Sequence, residues 1–377
     1  MLLTTNQTEE SAAEVQNGPA DKKEKKKTAL IIVLIVLLTI LLAAGIAVFA
    51  ILHGLRSGEN VPKIRERTDT YVIQTMEDTI QIIDPDEFAN MTEPVTEELT
   101  EPAGTEAETQ APEVTPIYKQ YKTDPDVMNI LLLGRDARNA KVENGRTDSM
   151  IILSYNKRTH EVKLVSLMRD MLIPIEGHDW NRINTAYAFG GIGFCINTIN
   201  DVFALDIQNY MTIDFTSLKN VIDSIGGVDV TLTPDEVALY QTYGMLGKNV
   251  SAGVVHLTGD QALRHARNRA LGSDFERTRR QRDILIAIYK KVTSTMSLSE
   301  VTELISTVIK MVATNLPLTD LVSLAADVMA NKNAISIETS RVPYNDTYNG
   351  AWYKGMLVIQ IDIAENTRLL HETLYGE

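Results

Sequence analysis

An arginine cluster is the first feature of the sequence that could do chemistry. Residues 264–282 read RHARNRALGSDFERTRRQR, with seven arginines and no lysine, in a chain whose formal net charge is −14. A guanidinium presents a planar fork of donors that matches phosphate oxygens, and it stays charged in every setting. The segment is therefore a candidate anion site. The alternative is a structural network of ion pairs with Asp274, Glu276 and Asp283.

The second half of this segment predicts a helix that begins at Asp274. Ser273 and Glu276 have the spacing of a capping box, which marks a helix start. At 100° per residue, Arg277 and Gln281 lie on one face, and this face becomes apolar further along the helix. The apolar part belongs to the core. The polar part of the same face is expected to look into a pocket.

Other arginines of the cluster fall into two groups. Arg279 and Arg282 point away from the polar face of the helix, so we expect them on the solvated surface. Arg267 and Arg269 are two residues apart, so in an extended segment both side chains would face the same way and join Arg277 across a cleft. Such a set suits a pyrophosphate. Nucleic acid is not expected as a partner, because the chain is acidic as a whole and Phe275 is the only Phe, Tyr or Trp among these arginines.

Charged residues also mark the ends of three apolar runs. LLLGRDAR places Asp136 just beyond a buried strand, GRTDSM places Arg146 and Asp148 at the start of the next, and SLMRDM places Arg169 at the end of a third. Such clusters commonly converge on one edge of an α/β sheet. Asp136 and Asp148 would be natural ligands for Mg²⁺, which needs only one or two carboxylates besides phosphates and water. Salt bridges at the strand ends are the alternative.

Short apolar runs alternate with helical patterns along the chain. Strands mixed with helices, and apolar on both faces, predict an α/β fold, an α-β-α sandwich with a mixed central sheet. The predicted strands are 129–134, 149–156, 161–168, 209–215, 226–232 and 356–362, and the predicted helices are 185–204, 216–224, 258–267, 274–295, 299–313, 318–330 and 363–373.

The N-terminal part of the sequence has a different character. Residues 28–52 carry no charge and are long enough to span a bilayer, and five lysines precede them, which places the N-terminus in the cytoplasm. A cleaved signal peptide is the alternative. Twelve acidic residues and no basic one lie from Glu77 to Glu113. Residues 84–117, rich in Glu, Pro and Thr, are typical of a disordered acidic tether, and a short strand or helix is expected before them, around residues 71–83. The expected organisation is a cytoplasmic tail (1–27), a transmembrane helix (28–52), an extracellular stalk with an acidic linker (53–117) and a catalytic domain (118–377).

Cysteine and histidine offer no obvious chemistry. Cys195 is the only cysteine, so the chain can form no intramolecular disulfide, and its apolar surroundings favour a buried, inert thiol. His256 and His265 have no metal-ligand spacing and are expected to be structural. A large outer domain without disulfides fits a Gram-positive cell surface.

Taken together, the motifs resemble the LytR-CpsA-Psr family, over roughly residues 125–295. The motifs that carry the resemblance, in chain order, are LLLGRDAR, GRTDSMIILSYN, VKLVSLMRDM, RINTAYAFGG, GGVDV and HLTGDQALRHARNR with SDFERTRRQRDIL. The resemblance implies a membrane-anchored extracellular phosphotransferase. Such a protein moves a glycopolymer, such as teichoic acid or capsule, from a polyprenyl-pyrophosphate carrier to a sugar hydroxyl of peptidoglycan and releases polyprenyl phosphate.

The resemblance also implies roles for individual residues. The metal-site aspartates fall on Asp136 and Asp148, with Mg²⁺ as the cofactor, and Asp274 is a further aspartate near the phosphates. Arg146 matches the arginine that precedes the second aspartate. Asp136, Asp148, Arg169 and Asp274 form the expected catalytic group. The expected pyrophosphate-binding residues are Arg146, Arg169, Arg267, Arg269, Arg277 and Gln281.

Several points stay open at the level of sequence. Either Asp274 or Asp148 could take the proton of the attacking hydroxyl. Residues 184–199 and the two helices at 299–330 could line a slot for the polyprenyl tail. A hydrolase of the same carrier, or a non-catalytic lipid-pyrophosphate-binding regulator of envelope assembly, would use many of the same residues. The polymer and the oligomeric state are not encoded in these motifs.

Overall fold

The chain divides into two units, residues 1–61 and 62–377. The structure, a computed structural model, describes residues 64–65, 71–72, 76, 80–84, 88, 118–119, 121–135 and 147–376, all of which belong to the second unit. The expected cytoplasmic tail, the expected transmembrane helix and most of the expected stalk lie outside the described residues. Among the helices that the structure does describe, none is both long enough and apolar enough to cross a membrane.

Strands and helices alternate through the second unit. The strands are β1 (Tyr71–Val72), β2 (Gln81–Ile83), β3 (Tyr118–Lys119), β4 (Val127–Arg135), β5 (Thr147–Asn156), β6 (Glu161–Leu167), β7 (Met171–Ile173), β8 (Asn181–Arg182), β9 (Asn209–Asp214), β10 (Val228–Leu232), β11 (Gly253–Leu257), β12 (Val312–Thr314), β13 (Ser336–Val342), β14 (Tyr348–Tyr353) and β15 (Met356–Ile361). The helices are α1 (Thr185–Phe203), α2 (Phe215–Ser224), α3 (Pro234–Thr242), α4 (Gly259–Ala266), α5 (Asp274–Thr295), α6 (Leu298–Val308), α7 (Leu318–Asn331) and α8 (Ile363–Tyr375).

A six-stranded mixed sheet forms the centre, in the order β12-β9-β4-β5-β6-β13. β4 runs antiparallel to β5 and parallel to β9, and β6 runs antiparallel to β5 and parallel to β13. The C-terminal ends of β4, β6 and β9 and the N-terminal end of β5 therefore lie at one edge. Because these are the strand ends that carry charged residues in the sequence, we call this edge the charged edge.

Helices cover both faces of this sheet, as an α-β-α sandwich requires. On one face, Met150 and Ile152 of β5 belong to the same buried cluster as Cys195 and Ile199 of α1. On the other face, the Tyr155 hydroxyl donates to Asp327 of α7 at 2.5 Å. Side chains alternate along a strand, so even and odd residues of β5 serve the two faces. The predicted mixed α/β sandwich is confirmed in this respect.

A second, five-stranded mixed sheet was not expected from the sequence. Its order is β2-β14-β15-β7-β8, and it packs around Trp180, Tyr353 and other buried residues. Its edge strand β2 lies inside the segment interpreted as a stalk, and Ile83 of β2 is only 5% exposed. Part of that segment therefore packs on the folded domain.

A third apolar cluster joins α2, α3, α4 and α5 to the hairpin of β10 and β11. Its members include Val228, Tyr240, Ala266 and Ile284. The C-terminal end of α4 and the N-terminal end of α5, which carry the arginine cluster, are both anchored in this third cluster.

Most of the predicted elements are present. Helix α5 begins at Asp274 and ends at Thr295, as expected. The capping-box prediction was wrong, because the Ser273 side chain makes no capping hydrogen bond and Glu276 pairs with Arg279 at 2.8 Å. The predicted helix 299–313 ends at Val308, and residues 312–314 form a strand paired with β9.

Candidate functional site

The side chain of Arg169 lies at the centre of the charged edge, just beyond β6. Its Nη1 lies 3.2 Å from Asp148 Oδ1, and its Nε lies 3.3 Å from Asp170 Oδ2 and 3.7 Å from Asp274 Oδ2. Arg169 itself is 8% exposed. Two of the three strand-end clusters therefore meet, as the sequence predicted, and Asp274 of α5 joins them.

Arg277 extends the cluster along the first turn of α5. Its Nη2 lies 2.6 Å from Asp274 Oδ1, and its side chain is 3% exposed. A guanidinium this deeply buried needs a carboxylate beside it. Asp274 therefore links two predicted pyrophosphate-binding arginines, Arg169 and Arg277.

Arg269 and Arg267 reach the same edge from the segment between α4 and α5. Arg269 Nη2 lies 3.8 Å from Asp148 Oδ1, and its side chain is half exposed. Arg267 is the C-cap of α4 with helical φ and ψ angles, so the extended segment assumed from the sequence is wrong at this residue. Its guanidinium lies 4.2 Å above the ring of Phe215, the residue that follows β9 at the charged edge.

Gln281 lies one helical turn after Arg277, on the same side of α5. Its Oε1 atom is buried and receives no hydrogen bond from the described residues. A pyrophosphate accepts hydrogen bonds, so it would bind the amide nitrogen of this side chain and not the amide oxygen. The position is consistent with the predicted role but does not test it.

The strand ends beside Arg169 are tied together at backbone level. Gly134 of β4 pairs with Ser149, but Arg135 at the end of β4 pairs with Thr147, so the register shifts and Asp148 lies in a β-bulge. Arg135 Nη1 also donates to the hydroxyl of Tyr187 in α1 at 3.2 Å. Asp136 and Arg146, two of the predicted site residues, lie outside the described residues.

One other arginine of α5, Arg282, does not lie where the helical wheel places it. Arg282 is not on the solvated surface, because it is 6% exposed and donates to Ser166 Oγ of β6 at 2.6 Å. Burial lowers the pKa of this guanidinium. Arg280 is also buried, with Glu236 of α3 as its partner. Arg279 is partly exposed and pairs with Glu276 and Asp283. The alternative of a structural ion-pair network therefore holds for part of the cluster.

The cysteine and the two histidines that we expected to have no chemical role are placed accordingly. Cys195 is buried, which raises the pKa of its thiol to about 12, so it is inert as a nucleophile. His265 is fully buried against the hydroxyl of Tyr240, and His256 pairs with Asp229 on the surface. Among the described residues, no group of three or more His, Cys, Asp and Glu side chains could hold a metal.

Sequence reasoning missed two contacts at the site. Arg182 of β8 lies 3.3 Å from Asp170 and so holds the carboxylate beside Arg169. The ring of Phe215 lies under the guanidinium of Arg267, although the two residues are far apart in the sequence. Arg182 is the one charged residue of the motif RINTAYAFGG, and this could have singled it out. Nothing in the sequence pairs Phe215 with Arg267.

The chain matches one family of known proteins over most of its length. A family model described as the LytR_cpsA_psr family matches residues 92–370. The chain belongs to this family. The resemblance seen in the sequence motifs is thereby confirmed.

Two relatives of this LytR_cpsA_psr member are named as transferases. It is 28% identical over 239 residues to the polyisoprenyl-teichoic acid–peptidoglycan teichoic acid transferase TagT of Bacillus subtilis (strain 168), covering 62% of this chain and 74% of that protein. It is 32% identical over 241 residues to the corresponding transferase TagU of Bacillus cereus (strain AH820), covering 62% and 75%.

Solved structures support the fold. TagT bound to LIIa-WTA matches with a TM-score of 0.55 and 24% identity, covering 67% of this chain and 93% of that one. The LytR-CPS2A-psr family protein YwtF (TagT) with bound octaprenyl pyrophosphate lipid matches with a TM-score of 0.50 and 21% identity, covering 68% and 93%. At these identities the likeness concerns the fold alone.

Proposed function

We propose that this protein transfers a glycopolymer from a polyprenyl-pyrophosphate carrier to a sugar hydroxyl of peptidoglycan and releases polyprenyl phosphate. The observation that carries the proposal is the convergence of Arg169, Arg269 and Arg277 with Asp148 and Asp274 at the charged edge. The names of the relatives, which act on teichoic acid and peptidoglycan, support teichoic acid as the class of polymer.

The reaction is a displacement at phosphorus. The hydroxyl oxygen of the acceptor sugar attacks the phosphorus that carries the polymer, and the bond from this phosphorus to the bridging oxygen breaks. Negative charge grows on the equatorial oxygens and on the departing polyprenyl phosphate. Donors that are in place beforehand stabilise that charge without reorganisation. Arg169 and Arg277, both buried and held by carboxylates, meet this requirement, and Arg269 and Arg267 add donors from the exposed side.

A cation is part of the proposal. The carboxylates of Asp148 and Asp274 lie among the arginines and would repel a pyrophosphate unless a positive charge lay between them and it. The Asp148 side chain is 29% exposed and offers the oxygen ligands that Mg²⁺ prefers. Asp148 and Asp136 would hold the ion. When bound, Mg²⁺ would neutralise charge on the phosphate oxygens.

We assign the proton of the attacking hydroxyl to Asp274. Asp148 is committed to the cation in this proposal, and Asp170 is only 15% exposed, which leaves Asp274 as the carboxylate that can accept a proton. Its side chain is 24% exposed, so an acceptor can approach it. Arg277 Nη2, at 2.6 Å from Asp274 Oδ1, would hold this carboxylate in place.

The polyprenyl tail is proposed to lie between α7 and the central sheet. None of the residues of α7 is buried, although the helix carries Leu321, Leu324 and Val328. The opposing sheet face is the one that carries Tyr155 and hence Ile151, whose cross-strand partner Leu132 is only half-buried. The half-buried apolar side chains of α7 and Leu132 of the sheet would leave room for an apolar chain.

Residues 184–199, the other part of the slot expected from the sequence, are not included in this proposal. Residues 184–199 lie at the start and in the body of α1, where Ile196 and Ile199 are fully buried. They pack against the sheet face opposite to α7. Helix α1 is therefore core, and the proposed tail site rests on α7.

Anchoring in the cell membrane with the domain outside is also proposed. The uncharged run 28–52 and the lysines before it support a single span with a cytoplasmic N-terminus. A carrier lipid that stays in the bilayer can reach only a protein that is held close to that bilayer.

The test uses the full chain in detergent with Mg²⁺ and a synthetic polyprenyl-pyrophosphoryl disaccharide. The lipid is followed by mass spectrometry with and without peptidoglycan oligomers. We expect polyprenyl monophosphate only when the acceptor is present, together with a sugar-phosphate joined to that acceptor. Monophosphate without acceptor would mean a hydrolase, and an intact donor that stays bound would mean a lipid-binding regulator.

A further inference from the structure

Arg267 and Arg269 lie in a short irregular segment, residues 267–273, between α4 and α5. Irregular surface segments are usually the most mobile parts of a fold. A binding group displaced by about 1 Å can cost on the order of a hundredfold in rate. Something must therefore hold this segment in place if its arginines are to bind a pyrophosphate.

Asn268, between the two arginines, is held from three directions. Its Nδ2 donates to the hydroxyl of Tyr240 at 3.2 Å, and its Oδ1 accepts from the backbone N–H of Ala270 at 2.8 Å. Its carbonyl oxygen accepts from Arg280 Nη1 at 3.1 Å. A residue fixed through both its side chain and its backbone fixes the direction of its two neighbours.

Arg280 of α5 holds the backbone of the same segment. Besides the carbonyl of Asn268, it donates through Nη2 to the carbonyl of Leu271 at 2.7 Å. A single rigid guanidinium thus bridges two backbone carbonyls three residues apart. Its Nε donates to Glu236 Oε1 at 2.7 Å, and both of these side chains are 2% exposed.

Glu236 and Tyr240 anchor the network in α3. Burial opposes ionisation of Glu236, but the hydrogen bond from Arg280 and the backbone N–H of Thr233 hold its pKa below the ordinary value. The carboxylate is therefore charged at neutral pH. Tyr240 contacts His265 Nδ1 at 2.9 Å, so the last turn of α4 joins the same network.

We propose that Glu236, Tyr240 and Arg280 are positioning residues that hold Arg267 and Arg269 ready for the pyrophosphate. The inference rests on the proposed function for the identity of the ligand. The chemistry favours arginine at 280, because a lysine could keep the charge opposite Glu236 but could not reach two carbonyls as well. These residues touch no substrate and act only through the segment that they hold.

The test is Arg280→Lys in the full chain in detergent, with inorganic pyrophosphate and Mg²⁺ as the probe in calorimetric titration. We expect the dissociation constant to rise by about tenfold to a hundredfold. Amide hydrogen exchange at residues 267–271 should become faster, whereas exchange in β4 and β5 should not change. A merely structural role would lower the melting temperature and leave the dissociation constant unchanged well below that temperature.

The matched control is Arg264→Lys. Arg264 pairs with Asp260 at 2.8 Å on α4, but both side chains are more than half exposed. It should leave pyrophosphate binding unchanged. If Arg280→Lys does not fold, Tyr240→Phe removes only one hydroxyl and decides the question by the same two measurements.

The outcomes separate the two proposals. Wild-type binding together with an unchanged dissociation constant in Arg280→Lys would overturn the positioning role. Absence of pyrophosphate binding by the wild-type chain would overturn the proposed ligand. In that case the exchange rates at 267–271 still show whether Arg280 orders the segment.

Discussion

At the scale of single residues, the clearest division is between arginines that face the charged edge and arginines that hold the fold. Arg169, Arg269 and Arg277 share Asp148 and Asp274 as partners. Arg280 and Arg282, from the same sequence cluster, are buried against Glu236 and Ser166. Both groups consist of arginines, so the residue type does not distinguish them and only their neighbours do.

Arg269→Ala tests the first group directly. Its side chain is half exposed, so its loss should leave the fold intact. The rate of polymer transfer should fall by about 10²–10³, by analogy with removing one preorganised donor to a developing negative charge. The measurement is the mass-spectrometric assay of donor lipid. Arg264→Ala, an exposed arginine five residues upstream, is the control, and equal losses in both variants would contradict the assignment.

His265 predicts a pH dependence of stability. Burial lowers its pKa from 6.5 to about 4, so the folded protein prefers the neutral ring. Between these two values the unfolded chain binds more protons, and the stabilisation that is present above pH 6.5 is lost as the pH falls towards 4. The loss should be on the order of 3 kcal/mol.

Urea denaturation of the wild-type chain and of His265→Gln at several pH values measures this dependence. The substitution should flatten the slope between pH 6.5 and pH 4. His256→Gln is the control, because that side chain is half exposed. An unchanged slope in His265→Gln would assign the pH dependence to other groups.

At the scale of elements, helices α1 and α7 differ although both carry long apolar runs. Fourteen residues of α1 are buried and none of α7 is. Helix α1 bends at Gly190 and Gly191, and a Cβ atom at Gly190 would lie 2.6 Å from the Cβ of Phe194, so this close turn requires glycine. Helix α1 therefore belongs to the core, whereas the apolar side chains of α7 stay partly exposed.

Leu324→Gln tests the proposed tail site on α7. The leucine is half-buried, so the change should be tolerated by the fold. The dissociation constant for a long-chain polyprenyl pyrophosphate should rise by about tenfold, because one apolar side chain of contact is lost. Binding of inorganic pyrophosphate should not change. Ser323→Gln, at the exposed neighbouring position, is the control, and equal effects on both ligands would place the tail elsewhere.

At the scale of the whole molecule, the folded domain extends upstream of the acidic segment. Strand β2 adds to the edge of the second sheet through β14, and Arg65 lies 2.7 Å from the buried carboxylate of Asp201. Both contacts join residues before position 84 to the body of the domain. The acidic segment is thus flanked on both sides by residues that pack on the same fold.

The two neighbouring isoleucines of β2 test this extension. Ile83 is 5% exposed, so Ile83→Ala should lower the free energy of unfolding by about 2–5 kcal/mol. Ile82, on the other side of the strand, is 44% exposed, so Ile82→Ala should change it by about 0.5 kcal/mol or less. Urea denaturation compares the two. Equal small effects would mean that the domain does not need β2.

The sequence by itself determined the local structure and the family. Strands β4, β5 and β6 and helix α5 follow from the periodicity of apolar residues, because that signal depends only on neighbours along the chain. Strand β13, SIETSRV, was missed because an edge strand exposes polar residues and lacks an apolar pattern.

The tertiary structure decided which charged groups meet. Helix α5 is contacted by β6 on one side and by α3 on another, so a helical wheel cannot tell a pocket-facing arginine from one that is buried against Glu236 or Ser166. The pairing of Arg169 with Asp274, more than a hundred residues later in the chain, depends on how sheet and helix pack. Contacts of this kind arise from long-range packing, which leaves no signal in the local pattern of residues.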